Sequence, residues 1–272
     1  MTDASAAPTG VADARAIVTD RGDLAIALVT INRPDQRNAM TLAMWTALAD
    51  AFEGLSAEPA IRAIVLTGAG GAFCAGADIK EFATTRSNAE AGARYSEAVE
   101  RANHAILDSP KATFAAISGA AMGGGCGLAL CCDFRLGDES AYMGIPAAKL
   151  GLVYGVAETR ALLAAVGLAA AKTVLFSGRR FMAAEAVGMG LLTGTTQGDP
   201  VSAAMEQAET FRGSAPLSIA GAKRVLGALQ QIPEPDALAA ITQIAASAVE
   251  SEDHAEGVAA FREKRAPVFR GI

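Results

Sequence analysis

The chain has little of the material from which metal and disulfide sites are made: two histidines and four cysteines in 272 residues. Two histidines, with the cysteines at 74, 126, 131 and 132, do not supply the spacing of a Cys/His zinc set, so no metal site is expected. The cysteines lie inside apolar segments and not in a disulfide framework, which predicts reduced thiols in a cytoplasmic protein. No uninterrupted apolar run reaches the roughly 20 residues that span a bilayer. The first dozen residues lack a basic stretch followed by an apolar one, so neither a secretion signal nor a membrane partner is expected. A basic stripe is also missing. The net charge of −6 and pI near 5.1 exclude nucleic acid as the default partner.

Several catalytic fingerprints are absent as well. Gly71 and Gly76 have the phosphate-loop glycine spacing, but Ala77 and Asp78 stand where lysine and a hydroxyl residue are needed. Three positions beyond Gly70 lies Phe73, and three beyond Gly125 lies Leu128, so neither glycine cluster is a dinucleotide fingerprint. No Gly-x-Ser-x-Gly elbow occurs. Cys74 has no histidine in its vicinity and reads as a buried inert thiol. His104 and His254 read as surface helix residues.

What the chain does have is glycine, 28 residues of it, concentrated at two places that matter. One loop follows the strand-like run Ala63–Thr67 and runs from Gly68 through Gly76 to Asp78 and Glu81. The other is the triplet Gly123, Gly124 and Gly125, between the small apolar run from Ala115 and a helical pattern ending near Cys132. Glycine lets the main chain come close to a ligand. A helix starting after Gly123 leaves its first N–H groups without intrahelical partners. Two such loops can aim two backbone donors at one oxygen, which is an oxyanion hole. Asp78 suits either a catalytic carboxylate or the N-cap of the next helix.

In order along the chain, Ala14–Asp20 and Leu24–Asn32 read as a hairpin around Arg21, Gly22 and Asp23, followed by a polar loop to Asn38. Thr41 caps a helix with Leu42, Trp45, Leu48 and Phe52 at helical spacing. Ser87–Asp108 is an amphipathic helix. Thr113–Ser118, Phe134–Leu136 and Ala141–Gly144 are strands. Val156–Val166 and Leu168–Phe176 are helical, interrupted at Gly167. Beyond residue 200 the patterns are all helical: Val201–Gly213, Pro216–Leu229, Pro235–Val249 and Asp253–Lys264. The expected organisation is a disordered tail over 1–12, an α/β core over 13–200 and a helical region over 201–272.

Four motifs in collinear order resemble the crotonase superfamily, that is, the enoyl-CoA hydratase/isomerase family. They are Asn32 to Met40 (Asn-Arg-Pro-Asp-Gln-Arg-Asn-Ala-Met), Ala72 to Lys80 (Ala-Phe-Cys-Ala-Gly-Ala-Asp-Ile-Lys), Gly119 to Cys126 (Gly-Ala-Ala-Met-Gly-Gly-Gly-Cys) and Ser251 to Arg265. The resemblance implies a spiral of strand-strand-helix turns with a helical trimerisation region, as a homotrimer or a dimer of trimers. It implies an acyl-CoA thioester as ligand, coenzyme A being part of the substrate and no separate cofactor being needed. It puts the thioester carbonyl between the N–H groups of Ala77 and Gly124. Ala75, Asp78, Ile79 and Lys80 would line the adenine and phosphate side, joined by Arg37 and, from the tail of a neighbouring subunit, Phe261 and Lys264.

The same resemblance exposes departures. Gly127 and Ala147 stand where the family's hydratases carry two glutamates, and Gly155 where some isomerases and dehalogenases carry a carboxylate. Tyr154, in a setting like that of methylmalonyl-CoA decarboxylases, is the candidate proton donor or hydrogen-bond donor. Glu81, Glu139 and Glu158 are spare carboxylates. The function implied is an acyl-CoA-processing enzyme that stabilises a thioester enolate. A decarboxylase, an isomerase and a non-catalytic acyl-CoA-binding protein are the alternatives.

Overall fold

A computed structural model describes residues 16–21, 25–85, 87–230, 246 and 249–268. The tail over 1–12, the turn residues Gly22 and Asp23 and nearly all of the helix expected over 235–249 lie outside the described residues. Strands β1 (Ile17–Asp20) and β2 (Ile26–Ile31) form the expected antiparallel pair, with Ile17 opposite Ile31. From β2 onward the main sheet is parallel, through β3 (Ala63–Gly68), β4 (Ala112–Ile117), β6 (Phe134–Gly137) and β9 (Gly194–Thr195), in the order β1-β2-β3-β4-β6-β9. Parallel strands covered on both faces need side chains that are apolar without alternation. The fully buried Ala-Thr-Phe-Ala-Ala-Ile of β4 meets that need.

A second, small sheet is made of β5 (Ala120–Met122), β7 (Tyr142–Gly144) and β8 (Phe181–Met182). Single bridges from Met40 to Ala77 and from Cys74 to Ala121 extend its pairing to earlier loops. Each circuit of the chain therefore gives a strand to the large sheet, a short segment to the small one, and a helix. That is the strand-strand-helix spiral. The two-residue strands β8 and β9 are too short to carry a period of two, and the sequence pattern does not show them.

Helix α1 (Leu42–Ala57) starts at Thr41, whose hydroxyl accepts the Met44 N–H at 3.3 Å. It buries Trp45, Leu48 and Phe52 in one core with Tyr95 and Ile106 of α3 (Ala89–Leu107), after the short α2 (Phe82–Thr85). Helix α4 (Gly124–Cys131) is almost entirely buried, and α5 (Val156–Ser177) packs against it. By length and composition alone α5 is apolar enough to cross a membrane. Gly167, at φ 74° and ψ 168°, breaks it at the expected place into two helices. The short α6 (Ala183–Met189) follows.

Helix α7 (Pro200–Thr210) begins at the composition change and packs into the second face of the large sheet, burying Ala204 and Ala208. Phe211 just after it joins Phe114 and Phe134, with ring centroids 6.0 and 5.5 Å away. By contrast α8 (Pro216–Leu229) buries no residue and leaves Leu217 88% and Leu229 79% exposed. The last described helix, α9 (Glu252–Glu263), lies on the 3-10 turn Ala147–Leu150, with His254 Nδ1 2.8 Å from the Leu150 carbonyl. His254, expected on a surface, is thus buried against that carbonyl, while His104 is half-buried beside Asp108. Phe114→Ala should destabilise the fold by about 3–5 kcal/mol, because it empties the aromatic cluster under α7. Urea unfolding measures this.

Candidate active site

Asn38 fixes the first glycine loop. It is fully buried with φ 57°, a conformation that asparagine tolerates better than most residues. Its amide group donates to the Ala69 and Ala72 carbonyls at 2.8 and 2.6 Å, and its side-chain oxygen accepts the Arg33 N–H at 2.9 Å. The chain then threads between Met40 and β5. Cys74 N–H donates to Ala120 O and Met122 N–H to Cys74 O, while Met40 N–H donates to Gly76 O and Asp78 N–H to Met40 O, all between 2.7 and 2.9 Å. In this pairing the Gly76 carbonyl accepts and the Asp78 N–H donates on either side of the Ala77 N–H, which takes no part in it.

The second loop supplies the other donor. Gly124 is the first residue of α4, and the first N–H of that helix to close a turn is that of Gly127, which donates to Gly123 O at 3.0 Å. Neither Ala77 N–H nor Gly124 N–H has a backbone partner among the described residues. The two are neighbours. Gly76, at φ 101°, comes so close to the second loop that a Cβ on it would lie 2.7 Å from Met122 O and 3.4 Å from Gly124 N. A Cβ on Gly124 would lie 3.9 Å from Ala77 N and 3.0 Å from the edge of the Trp45 indole. That indole is held in turn by its Nε1–H, which donates to Tyr95 Oη at 2.9 Å.

Tyr154 lies at this same corner, half-buried, and its hydroxyl donates to the Gly123 carbonyl at 2.9 Å. Burial, then the charge of Glu158, hold the phenol well above its ordinary pKa, so it stays neutral. The proton that was expected to serve a substrate is engaged on the backbone of the second loop. In this structure Tyr154 holds the start of α4. Ala147 is buried at the start of the 3-10 turn, and Gly155 caps α5. Glu158, in the first turn of α5, is buried with its side chain against Gly127, Gly155 and Tyr154. The sequence pointed to it only as a spare carboxylate. Its neighbour Gly155 lies three positions back on the same turn, but Gly127 comes from another helix, and no spacing reveals that contact.

Asp78 is a cap. Its carboxylate accepts the Lys80 N–H at 3.0 Å, and its other oxygen pairs with Arg33 Nη1 at 2.7 Å. Lys80 Nζ donates to Gln36 Oε1 at 3.2 Å, and Ala75 N–H to the Arg37 carbonyl at 3.0 Å, so Arg37, Ala75, Asp78, Ile79 and Lys80 are brought to one edge of the site. Arg37 and Lys80 are exposed there. Phe261 is 58% exposed on α9. Lys264, three residues on, ends the helix in the left-handed conformation, φ 56°. α9 packs on the 147–150 turn through His254 and Gly257.

A two-sheet spiral with a pair of neighbouring, unspent backbone N–H groups in its glycine loops defines the crotonase-fold class. The family model described as enoyl-CoA hydratase/isomerase matches residues 21–271, and the chain belongs to that family. The mitochondrial methylglutaconyl-CoA hydratase of Mus musculus is 33% identical over 252 residues, 90% of this chain and 80% of its own. A crystal structure of an enoyl-CoA hydratase/carnithine racemase from Magnetospirillum magneticum superposes with a TM-score of 0.74 at 35% identity, over 96% of this chain and 100% of that one. A methylmalonyl-CoA decarboxylase complexed with 2-nitronate-propionyl-CoA shares the fold, with a TM-score of 0.83 over 94% of this chain and 98% of its own, at 23% identity.

All four cysteines are buried free thiols, and burial pushes Cys74, Cys126 and Cys132 up to about 12 and Cys131 in the same direction. A thiol must ionise to react. At pH 8 the native protein should therefore show no fast reaction with a thiol-specific disulfide reagent, and the four cysteines of the chain should react once it is denatured.

Proposed function

We propose that the protein processes acyl-CoA thioesters by stabilising an enolate, with the thioester oxygen between the N–H groups of Ala77 and Gly124. The observation that supports this reading most is the pair itself: two backbone donors from separate loops, side by side, neither used by the fold. When Cα of a thioester carries negative charge, the charge moves to the oxygen. Preorganised donors at that oxygen lower the barrier without having to reorient. Tyr154 acts indirectly, by holding the Gly123 carbonyl and so the start of α4.

The nucleotide end of the ligand is assigned to the edge formed by Ala75, Asp78, Ile79, Lys80 and Arg37. In this assignment the backbone and the two exposed cations meet the phosphates, and Asp78 orders the turn through Arg33. Water addition by a two-glutamate route has no carboxylates at Gly127 and Ala147. This favours reactions in which a single group moves the proton, or in which an enolate forms by loss of another group from Cα. The apolar face of α8 suits burial in an assembly of copies of this chain, in keeping with a trimer or a dimer of trimers.

Ala77→Pro removes one donor from a position whose N–H the chain does not use, which sheets tolerate. Turnover on a panel of enoyl-, malonyl- and methylmalonyl-CoA thioesters should fall about 10²- to 10³-fold for whichever is the substrate. Unchanged turnover in the folded variant would remove the proposed role. For the assembly, the double substitution Leu217→Asp with Leu229→Asp should lower the mass measured by light scattering to that of smaller, soluble species. An unchanged mass would place the contacts between copies elsewhere.

A further inference from the structure

Glu158 stands where a side chain on Gly127 would go. A Cβ on Gly127 would lie 2.9 Å from Glu158 Cγ, 3.3 Å from its Oε1 and 2.7 Å from the Tyr154 hydroxyl. On the other side, a Cβ on Gly155 would lie 2.0 Å from Glu158 Oε2. A Cβ at either glycine would press on this side chain where it now lies, and at Gly127 on the Tyr154 hydroxyl as well. Gly127 is also three residues after Gly124 on α4, and residues three apart share one helical face. A carboxylate laid over Gly127 is thus on the face of α4 that begins with the Gly124 donor.

The fold holds a carboxyl group in a buried place there. Glu158 is 6% exposed, and burying a carboxylate is costly unless the surroundings compensate. Its place in the first turn of α5 helps, because a helix N-terminus favours negative charge. Buried carboxyl groups are where acid-base function concentrates.

We infer that Glu158 is the proton carrier of this site, a carboxylate delivered from α5 to the space above Gly127. The inference rests on the enolate reading given above. With a saturated acyl-CoA bound, the Glu158 carboxylate takes a proton from Cα. The electron pair of that C–H bond becomes the enolate, whose oxygen Ala77 N–H and Gly124 N–H hold. The carboxylic acid then exchanges its proton with solvent and returns one to Cα, restoring the thioester and the carboxylate. Atoms and electrons balance, and no further reactant is needed. The same carrier serves reactions in which an enolate formed at this site is protonated.

The test is exchange of the Cα protons of butyryl-CoA in D2O, followed by NMR, together with butyryl-CoA affinity by calorimetry. The wild type should exchange. Glu158→Gln, which keeps the shape and removes the base, should lower the exchange rate by about 10²-fold or more while the affinity stays within about threefold. Gly127→Glu alone should also fail, since the new side chain collides with Glu158 and Tyr154. Combined with Glu158→Ala and Tyr154→Phe, which remove both collisions, it supplies a carboxylate from the other side of the same space, and exchange should recover at least tenfold over the same background without Gly127→Glu. If Glu158→Gln does not fold, this comparison decides.

Exchange at the wild-type rate in Glu158→Gln, no exchange in the wild type, or no recovery in the combined variant would overturn the inference. Ala77→Pro separates it from the reading on which it rests. Exchange lost in Ala77→Pro but kept in Glu158→Gln leaves the enolate site standing without Glu158. Exchange kept in Ala77→Pro but lost in Glu158→Gln supports the carrier and contradicts the proposed donor.

Discussion

The close backbone approach of Gly76 to the Met122–Gly124 segment is the constraint on which the rest of the structure depends. Two loops that are far apart in sequence can present neighbouring N–H groups only if no side chain separates them, and only if both are held from outside. The outside support is specific. Asn38 grips the loop after β3 by two carbonyls, Met40 and Ala121 pair with it on either side, and the Trp45 indole lies beneath Gly124. Most of the spiral serves to keep these supports in register: the large sheet fixes where β3 and β4 end, and the small sheet fixes how the segments after them meet.

Much of this was legible in the sequence. The parallel strands β3 and β4 announced themselves as buried apolar runs, the caps at Thr41 and Asn88 lie where a helical pattern follows a polar residue, and Gly167 interrupted a helix that is otherwise unbroken. The glycine loops pointed to two donor-bearing turns, and the resemblance to the crotonase superfamily narrowed them to Ala77 and Gly124. The burial of His254 was not legible, since it depends on α9 folding back over the 147–150 turn, a contact across more than a hundred residues. The geometry of Tyr154 was not legible either. Its sequence setting points to a proton donor, whereas its hydroxyl is spent on Gly123.

Glu158 shows most clearly what spacing cannot report. Read along the chain, positions 127 and 155 look like vacancies left by a missing carboxylate. In three dimensions both glycines border a space that is already filled, and filled by a carboxylate from a third position. The identity of a residue at one place was set by a side chain arriving from another helix. Substitutions that treat Gly127 as an empty slot therefore test packing before they test chemistry.

The central claim is that the two N–H groups polarise a thioester oxygen, and isotope-edited infrared difference spectroscopy reads that polarisation without relying on turnover. An acyl-CoA labelled with ¹³C at the thioester carbonyl would be bound to the wild type and to Ala77→Pro. The account predicts that the carbonyl stretch moves to lower frequency on binding to the wild type, and that much of this shift is lost in the variant. A carbonyl bound at its free-solution frequency in the wild type would contradict it.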